Sequence, residues 1–521
     1  MKPKRNKEII VSMTSYPKRI DKINVALDSI FSQTVKPDKI ILWLAKSEFI
    51  NKEKDLPQYL LDLQQKNKIF IEWCDNLKPH KKYFYALKKY KNSIIITVDD
   101  DLIYEKDFVE CLINSYKKFP YAISALRTHI MNKKGNEFVS YKDFKKEQND
   151  IINIPSMQLL ATTGGGTLFP PNIFNFELFD KNIIKNLCIH TDDLFLKVLE
   201  AISDIPVVQP RKFGKLKYVK GTQEDGLWRN YNKTGNDEDL KKLKLWADDL
   251  FEKEYIINKI FKDKLYNNKT VLYFIPHQDD ELLTMGIDIC NSINKGDDVH
   301  VILCTDGSGS RIRKDLKKGK IDKNKISYDL SEKEFVKARD KEFIDSCLAL
   351  GVKRYNIHIP YARIADKTLS IKKAENLLHR YLSLFGYDSK VCTIYYNNGK
   401  NQHSDHKNLG YAANNLFKKG YIEELCFFKE PYNKSKKKSF KQLLSKTSFE
   451  NKINNAISAY SYWNPDEGRF AIGHHSVRKE FENYKSNMTN FYFNKRHTFL
   501  ISYFYKHFNK HFRKELFMKQ N

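Results

Sequence analysis

Apolar residues in the first half of the chain fall in short runs separated by amphipathic stretches. Residues 9–14 read as a strand, a turn follows at Ser15-Tyr16-Pro17, and apolar spacing predicts a helix over about 21–33. The alternation then repeats as strand 40–44, helix 57–65, strand 69–73, helix 81–90 and strand 93–98, which runs into Asp99-Asp100-Asp101. Past Lys212 the pattern loosens, and a charged helical stretch over about 237–261 leads to a boundary near 263–268. A second alternation opens with strand 271–275 and continues as helix 281–294, strand 299–305, helix 331–350, strand 355–359, a further helix and strand 391–396. The 331–350 helix has Ser331 and Glu334 in capping-box spacing and Gly351 at its end. Strands alternating with helices predict mainly parallel sheets with helices on both faces. The expectation is two α/β domains, at 1–262 and 263–480, followed by a basic aromatic tail at 481–521.

Composition changes this picture little. At 521 residues the chain is long enough for two or three cores, and the net charge of +27 is spread over its whole length. Without a clustered recognition motif, that charge excludes a dedicated nucleic-acid binder. It still favours phosphate-bearing substrates and anionic membrane surfaces. The 8 cysteines form no Cys-x-x-Cys pair and read as reduced packing residues of a cytosolic protein. The basic start is followed by an apolar run of only 9–13, too short for a secretory core, and no stretch reaches the length of a membrane span.

Three carboxylates at the end of strand 93–98 are costly unless a cation neutralises them. Oxygen ligands of this kind suit Mg²⁺ or Mn²⁺, which bridge to substrate phosphates; the alternative is a solvated acidic turn. About the first 240 residues resemble family-2-like glycosyltransferases of the GT-A type. The resemblance rests on Ser12 to Ile20, Gln33-Thr34, Thr97 to Asp101, Gly164-Gly165-Gly166 with Pro170-Pro171, and Thr191-Asp192-Asp193-Leu194. It implies a nucleotide-diphospho-sugar transferase fold in which Thr14, Arg19 and Asp100 lie near the nucleotide sugar and Asp99 and Asp101 flank the metal. Gly165 and Gly166 would let backbone approach the acceptor, and Asp192 or Asp193 would be the base. The alternative for the Asp192-Asp193 pair is an N-cap of the helix that follows.

In the second half, strand 271–275 ends in Pro276-His277-Gln278-Asp279-Asp280-Glu281, and strand 391–396 is followed by His403-Ser404-Asp405-His406. Ligands of open α/β sheets sit beyond the carboxyl ends of strands, so these groups could converge there. Two histidines and one aspartate leave an open coordination position, as catalytic zinc sites do. Asp279, next to a ligand, is placed to take a proton from water. The stretch from Val271 to about Glu430 is similar to the LmbE and PIG-L family of zinc-dependent N-acetylglucosaminyl deacetylases, with a Rossmann-like fold. The resemblance implies His277, Asp280 and His406 as zinc ligands, Asp279 as general base, His403 as acid or electrophile, and Arg339 as a substrate contact. Gln278 and Ser404 stand where the family has proline, a change expected mainly to loosen a turn.

Residues 456–460 and 468–477 resemble the closing segment of the deacetylase family, a resemblance that implies His474 or His475 as lining the pocket. Aromatic and basic residues interleave from Phe491 on, which suits an interfacial membrane helix or a terminal helix packed on the domain. The functional expectation is a bifunctional glycan-assembly enzyme that uses a nucleotide-sugar donor and a glycan or lipid-linked glycan acceptor. It would be cytoplasmic or peripheral on the inner face of the cytoplasmic membrane, with no nucleic-acid partner. The alternative keeps one domain catalytic and the other a degenerate glycan-binding module.

Overall fold

The computed structural model describes residues 7–146, 151–174, 177–223, 233–261, 269–360, 363–396, 402–431 and 440–497. The chain folds as two compact units, 1–262 and 263–521.

In the first unit a seven-stranded sheet runs, edge to edge, Val207–Val208, Ile123–Ala125, Thr167–Phe169, Ile94–Thr97, Ile9–Thr14, Lys39–Ala45, Phe70–Cys74. The strands from Ile94–Thr97 to Phe70–Cys74 are parallel, while Thr167–Phe169 lies antiparallel between its two neighbours. The central strands bury Ile10, Val11, Ile95 and Ile96 completely or nearly so, as strands covered on both faces must. The helix Ile23–Phe31 buries Ile23, Ala26, Leu27 and Ile30, the one-face spacing of an amphipathic helix. The three strands from Ile9–Thr14 onward extend the sheet one way, and Ile94–Thr97 joins on the other side of the first. The crevice where that order reverses lies between the ends of Ile9–Thr14 and Ile94–Thr97. The charged stretch over 237–261 is two helices, Lys233–Leu250 and Tyr255–Ile260, broken at Glu254, which has a φ of 65°.

The second unit has its own seven-stranded sheet, in the order Ile357–His358, Asp298–Leu303, Thr270–Ile275, Lys390–Ile394, Glu424–Phe428, Thr489–Arg496, Lys441–Leu444. Its first five strands are parallel and follow the doubly wound order, with the reversal between Thr270–Ile275 and Lys390–Ile394. The expectation of two α/β domains is met. The segment expected as a tail is different, since Thr489–Arg496 pairs antiparallel with Glu424–Phe428 inside the sheet. Phe493 is buried against Phe427 and Phe440, and Asn490 accepts from Ile287 N and donates to Leu283 O. A period of two was hidden there by the interleaved basic residues. The aromatic stretch from Phe499 on and the basic run 434–438 lie outside the described residues. No helix among the described residues is long and apolar enough to cross a membrane.

The helix Glu332–Leu350 starts at Ser331 with both halves of a capping box formed and ends at Gly351, with a φ of 99°. This helix carries Arg339 and Glu342 inward. Ser331 is exposed, so Ser331→Ala is expected to lower stability by about 1 kcal/mol through the cap alone. The check is thermal unfolding, with activity unchanged.

Candidate metal centre and acidic site

Immediately after Thr270–Ile275, Pro276 stops the ladder and the chain turns sharply through Asp279, whose φ of 102° is rare for a side-chain-bearing residue. The helix Asp280–Asn294 starts from this turn, with Asp280 Oδ2 accepting from His277 N at 3.1 Å. Across the sheet reversal, His406 sits in the first turn of Ser404–Lys418. His277 Nδ1 lies 2.8 Å from His406 Nε2 and 3.6 Å from Asp280 Oδ2, and the last two atoms are 3.1 Å apart. Two imidazole nitrogens and one carboxylate oxygen, all buried and facing one another, are the donor set that zinc takes. His403 is within reach, since the ligand atoms of His277, His403 and His406 all lie within 4.8 Å of one another.

Carboxylates orient both candidate histidine ligands from behind. Glu430 bonds His406 Nδ1, while Asp366 Oδ1 and Asp405 Oδ2 lie 3.2 and 3.4 Å from His277 Nε2. Such partners fix which ring nitrogen is free for a metal. Burial lowers the affinity of His277 for a proton, but Asp280, Asp366 and Asp405 outweigh it and hold the group well above the usual histidine range. His406 likewise overcomes burial through Asp280 and Glu430 and rises to about 9. Since the facing nitrogens are only 2.8 Å apart, one of them must be bare, and the pair shares one extra proton at neutral pH.

Asp279 lies beside this centre. Burial pushes its carboxyl up to about 8 against the pull of Arg339, with Asp280 and Glu281 adding to the rise. Arg339 was expected to contact substrate. It is buried, donating to Gln278 O at 2.8 Å, to Gly307 O at 2.9 Å and to Asp279 Oδ2 at 3.3 Å. Gln278 does not loosen the turn, because its amide donates to Asp340 Oδ1 and Asp306 O and ties it to two other elements. His403 Nδ1 accepts from Asp405 N at 3.3 Å, so its proton is assigned to Nε2, on the side of Asp366. Burial, then His277 and His406, keep His403 below the usual histidine range and therefore neutral. His474 and His475 pack on Phe481 and Trp463 and are not among the groupings that could hold an ion.

In the first unit the sheet reversal brings Ser15 and Arg19 onto Asp99-Asp100-Asp101. Ser15 Oγ donates to Asp100 Oδ2 at 2.5 Å, and Arg19 pairs with Asp100 at 3.0 Å and Asp101 at 2.9 Å. Thr14 stays at the strand end, with its hydroxyl on Trp43 O. Lys82, almost fully buried, lies 2.6 Å from Asp99 Oδ1 and 3.1 Å from Asp192 Oδ2. Asp192 and Asp193 occupy the first turn of the helix Asp192–Ile202, and the N-cap is Thr191, so neither is the cap. Burial raises Asp192, but Lys82 and His80 hold it below the carboxylate range. Burial and Asp192 push Asp193 up to about 7, and burial and Asp99 push Asp101 up to about 6. Five carboxylates therefore share two cations, a surplus of acidic groups that a divalent metal would relieve. Among the described residues, however, both groupings with ligand atoms already gathered lie in the second unit. The glycine run approaches Asp99: a Cβ on Gly164 would fall 1.8 Å from Asp99 Oδ2, and one on Gly165 would fall 2.7 Å from Arg127 Cβ. Gly166 has a φ of 94°.

Sequence reasoning assigned no role to Lys82, Asp366, Asp405 or Glu430, and none to Tyr460 beyond its place in the stretch 456–460. Asp405 lies inside the quoted motif, and Glu430 follows the strand Glu424–Phe428 at its carboxyl end, so the strand-end rule points to it.

Residues 272–417, within the second unit, match the PIG-L family profile, described as GlcNAc-PI de-N-acetylase. No curated protein matches the chain. Similar solved structures include an N,N'-diacetylchitobiose deacetylase from Pyrococcus horikoshii, at 19% identity and TM-score 0.28, covering 43% of this chain and 79% of that one. A deacetylase of the teicoplanin biosynthetic pathway is 15% identical, with TM-score 0.31, covering 44% of this chain and 99% of that one. TarS of S. aureus, residues 1–349, is 15% identical, with TM-score 0.28, covering 40% of this chain and 59% of that one. Nothing rests on likenesses this slight, and the fold stands on the strand orders.

Because metal ligands must be neutral imidazoles, zinc binding at pH 7 is expected to release about one proton, and apparent affinity to rise with pH up to about 9. Calorimetry in buffers of different ionisation enthalpy reads the proton count. In the first unit, Gly164→Ala is expected to displace Asp99 and lose the function of that site while leaving zinc uptake unchanged.

Proposed function

We propose that the chain is a two-domain glycan-assembly enzyme. The second unit removes an N-acetyl group from an amino sugar by zinc-dependent hydrolysis, and the first transfers an N-acetylated sugar from a nucleotide donor. The observation that carries the reading is the convergence of His277, Asp280 and His406 beside Asp279, within the segment that matches the PIG-L profile. His277, Asp280 and His406 would hold a zinc ion, which when bound would lower the pKa of a water and polarise the acetamide carbonyl. Asp279, whose carboxyl burial pushes up to about 8, would take the proton of the attacking water in its charged form, which Arg339 and the positive charge of a bound zinc both favour. His403, neutral with its proton on Nε2, donates to the oxygen on which negative charge develops. Collapse breaks the amide bond, and the proton returns to the departing amine, leaving acetate and a free amino sugar.

For the first unit, support comes from the sequence resemblance and from Ser15, Arg19 and the aspartate triplet meeting at the sheet reversal. Arg19 orients Asp100 and Asp101 toward a nucleotide diphosphate, with Mn²⁺ or Mg²⁺ relieving the excess negative charge. Asp193 suits the base better than Asp192, because a base works best with a pKa near the working pH and Asp192 is locked to Lys82. The acceptor is a glycan or lipid-linked glycan, met in the cytoplasm or at the inner face of the membrane. A second reading, in which the first unit only binds glycan, is favoured by Lys82 and Arg19 already occupying Asp99 and Asp101.

Metal analysis of purified protein is expected to give one zinc, lost in His277→Ala with His406→Ala. Asp279→Asn should keep zinc and lower amine release from N-acetylated oligosaccharides by about 10²- to 10⁴-fold. Unchanged release in that variant refutes the deacetylase assignment. For the first unit, Mn²⁺-dependent turnover of a nucleotide N-acetylamino sugar should disappear in Asp99→Ala, and a wild-type chain inert toward such donors favours the binding module.

A further inference from the structure

The peptide unit joining Gln278 to Asp279 is gripped from both sides. Its carbonyl accepts from Arg339 Nη2 at 2.8 Å, and its N–H donates to the Tyr460 hydroxyl at 2.8 Å and to Glu281 Oε2 at 3.1 Å. The Tyr460 hydroxyl in turn donates to Glu281 Oε1 at 2.7 Å, so both of its hydrogen-bonding roles are used. Arg339 reaches in from the helix Glu332–Leu350, and Tyr460 from the helix Thr447–Ser461. Tyr460 is fully buried and lies beyond residues 272–417, the stretch that the family profile covers. Gly473 seats it, since a Cβ there would fall 2.4 Å from Tyr460 Cδ1.

What this grip opposes is the backbone of Asp279. A φ of 102° with a ψ of −29° is a conformation that side-chain-bearing residues leave unless their surroundings hold them. Rotating the Gln278–Asp279 peptide toward an ordinary φ would break the bond to Arg339 and the bond to Tyr460 together. It would also swing the Asp279 carboxylate off Arg339 and away from the centre formed by His277, Asp280 and His406.

We infer that Tyr460 is a positioning residue: with Arg339 it clamps the Gln278–Asp279 peptide, keeps Asp279 in its strained conformation and so aims the carboxylate at the attacking water. The clamp's bonds go to the Gln278–Asp279 peptide, Glu281, Gly307 and the Asp279 carboxylate, and to none of the metal donors, so it is expected to act on turnover rather than on substrate binding or zinc affinity. The catalytic consequence rests on the deacetylase reading given above, whereas the clamp itself is a statement about the backbone.

The test compares full-length wild type, Tyr460→Phe and Asp279→Asn, zinc-loaded, by two readouts. Hydrogen exchange followed by mass spectrometry over residues 277–281 should be about tenfold faster in Tyr460→Phe, since the variant keeps the ring and its packing but removes the hydroxyl. Amine release from N,N'-diacetylchitobiose should lose about 10- to 100-fold in kcat, with KM within about twofold and one zinc retained. Unchanged exchange overturns the clamp, as does a KM increase at unchanged kcat or loss of zinc with the hydroxyl. If wild type releases no amine from the probe while exchange still quickens in Tyr460→Phe, the clamp stands and the deacetylase reading falls. If Asp279→Asn is inactive while Tyr460→Phe matches wild type in both readouts, the reverse holds.

Discussion

A charge taken out of water must be neutralised where it lies, and both units are built around that requirement at the carboxyl end of a parallel strand. In the first unit Asp99, Asp100 and Asp101 end Ile94–Thr97, and Arg19 and Lys82 are brought from two other segments to meet them. In the second unit Asp280 is met by His277 and His406, and Asp279 by Arg339. Neither arrangement is neutral within the chain. The first site has more carboxylates than cations, and the second holds three donor atoms in mutual contact that only a proton or a metal ion can separate. Each surplus is one that a bound cation would relieve.

The sheet reversal explains why these groups meet. In each unit the first strand has its sequence successor on one side and a much later strand on the other, so two strand ends open on a common crevice. Residues far apart in sequence then converge without any irregular loop: His277 with His406, Ser15 with Asp100. Outer carboxylates complete the second site. Glu430 comes from the next parallel strand and Asp366 from the loop before the helix Ile371–Phe385, so the histidine rings are oriented by elements outside the motif that names them.

How much of this was legible follows from the range of the interactions. Fully buried parallel strands write themselves as short β-branched runs, so Ile9–Thr14, Ile94–Thr97 and Thr270–Ile275 were readable, as was the cap of Glu332–Leu350 at Ser331. His277, Asp280 and His406 were readable because they sit in compact motifs at strand ends. Lys82 was not, because in a chain with 91 lysines and arginines nothing local separates one buried cation from the exposed rest. Tyr460 was not, because its partner Glu281 is 179 residues away. Arg339 was found but its bond to Asp279 was not: a helix period can turn a side chain inward, but only the packed structure brings it onto Asp279.

The turn at Asp279 shows where local rules give way to the site. Sequence preference alone would put glycine or asparagine at a φ of 102°, and aspartate there costs about 1–3 kcal/mol. The chain keeps a carboxylate at that position and surrounds it with Arg339, Tyr460 and Glu281, each buried and each bonded to the peptide unit that joins Gln278 to Asp279. A residue that served only to start the helix Asp280–Asn294 would need none of these, since Asp280 already accepts the His277 N–H across the turn. The strain is therefore spent on the direction of one side chain. That direction sets the carboxylate on Arg339, within electrostatic reach of His277 and Asp280, where a proton acceptor has a use and a helix cap has none.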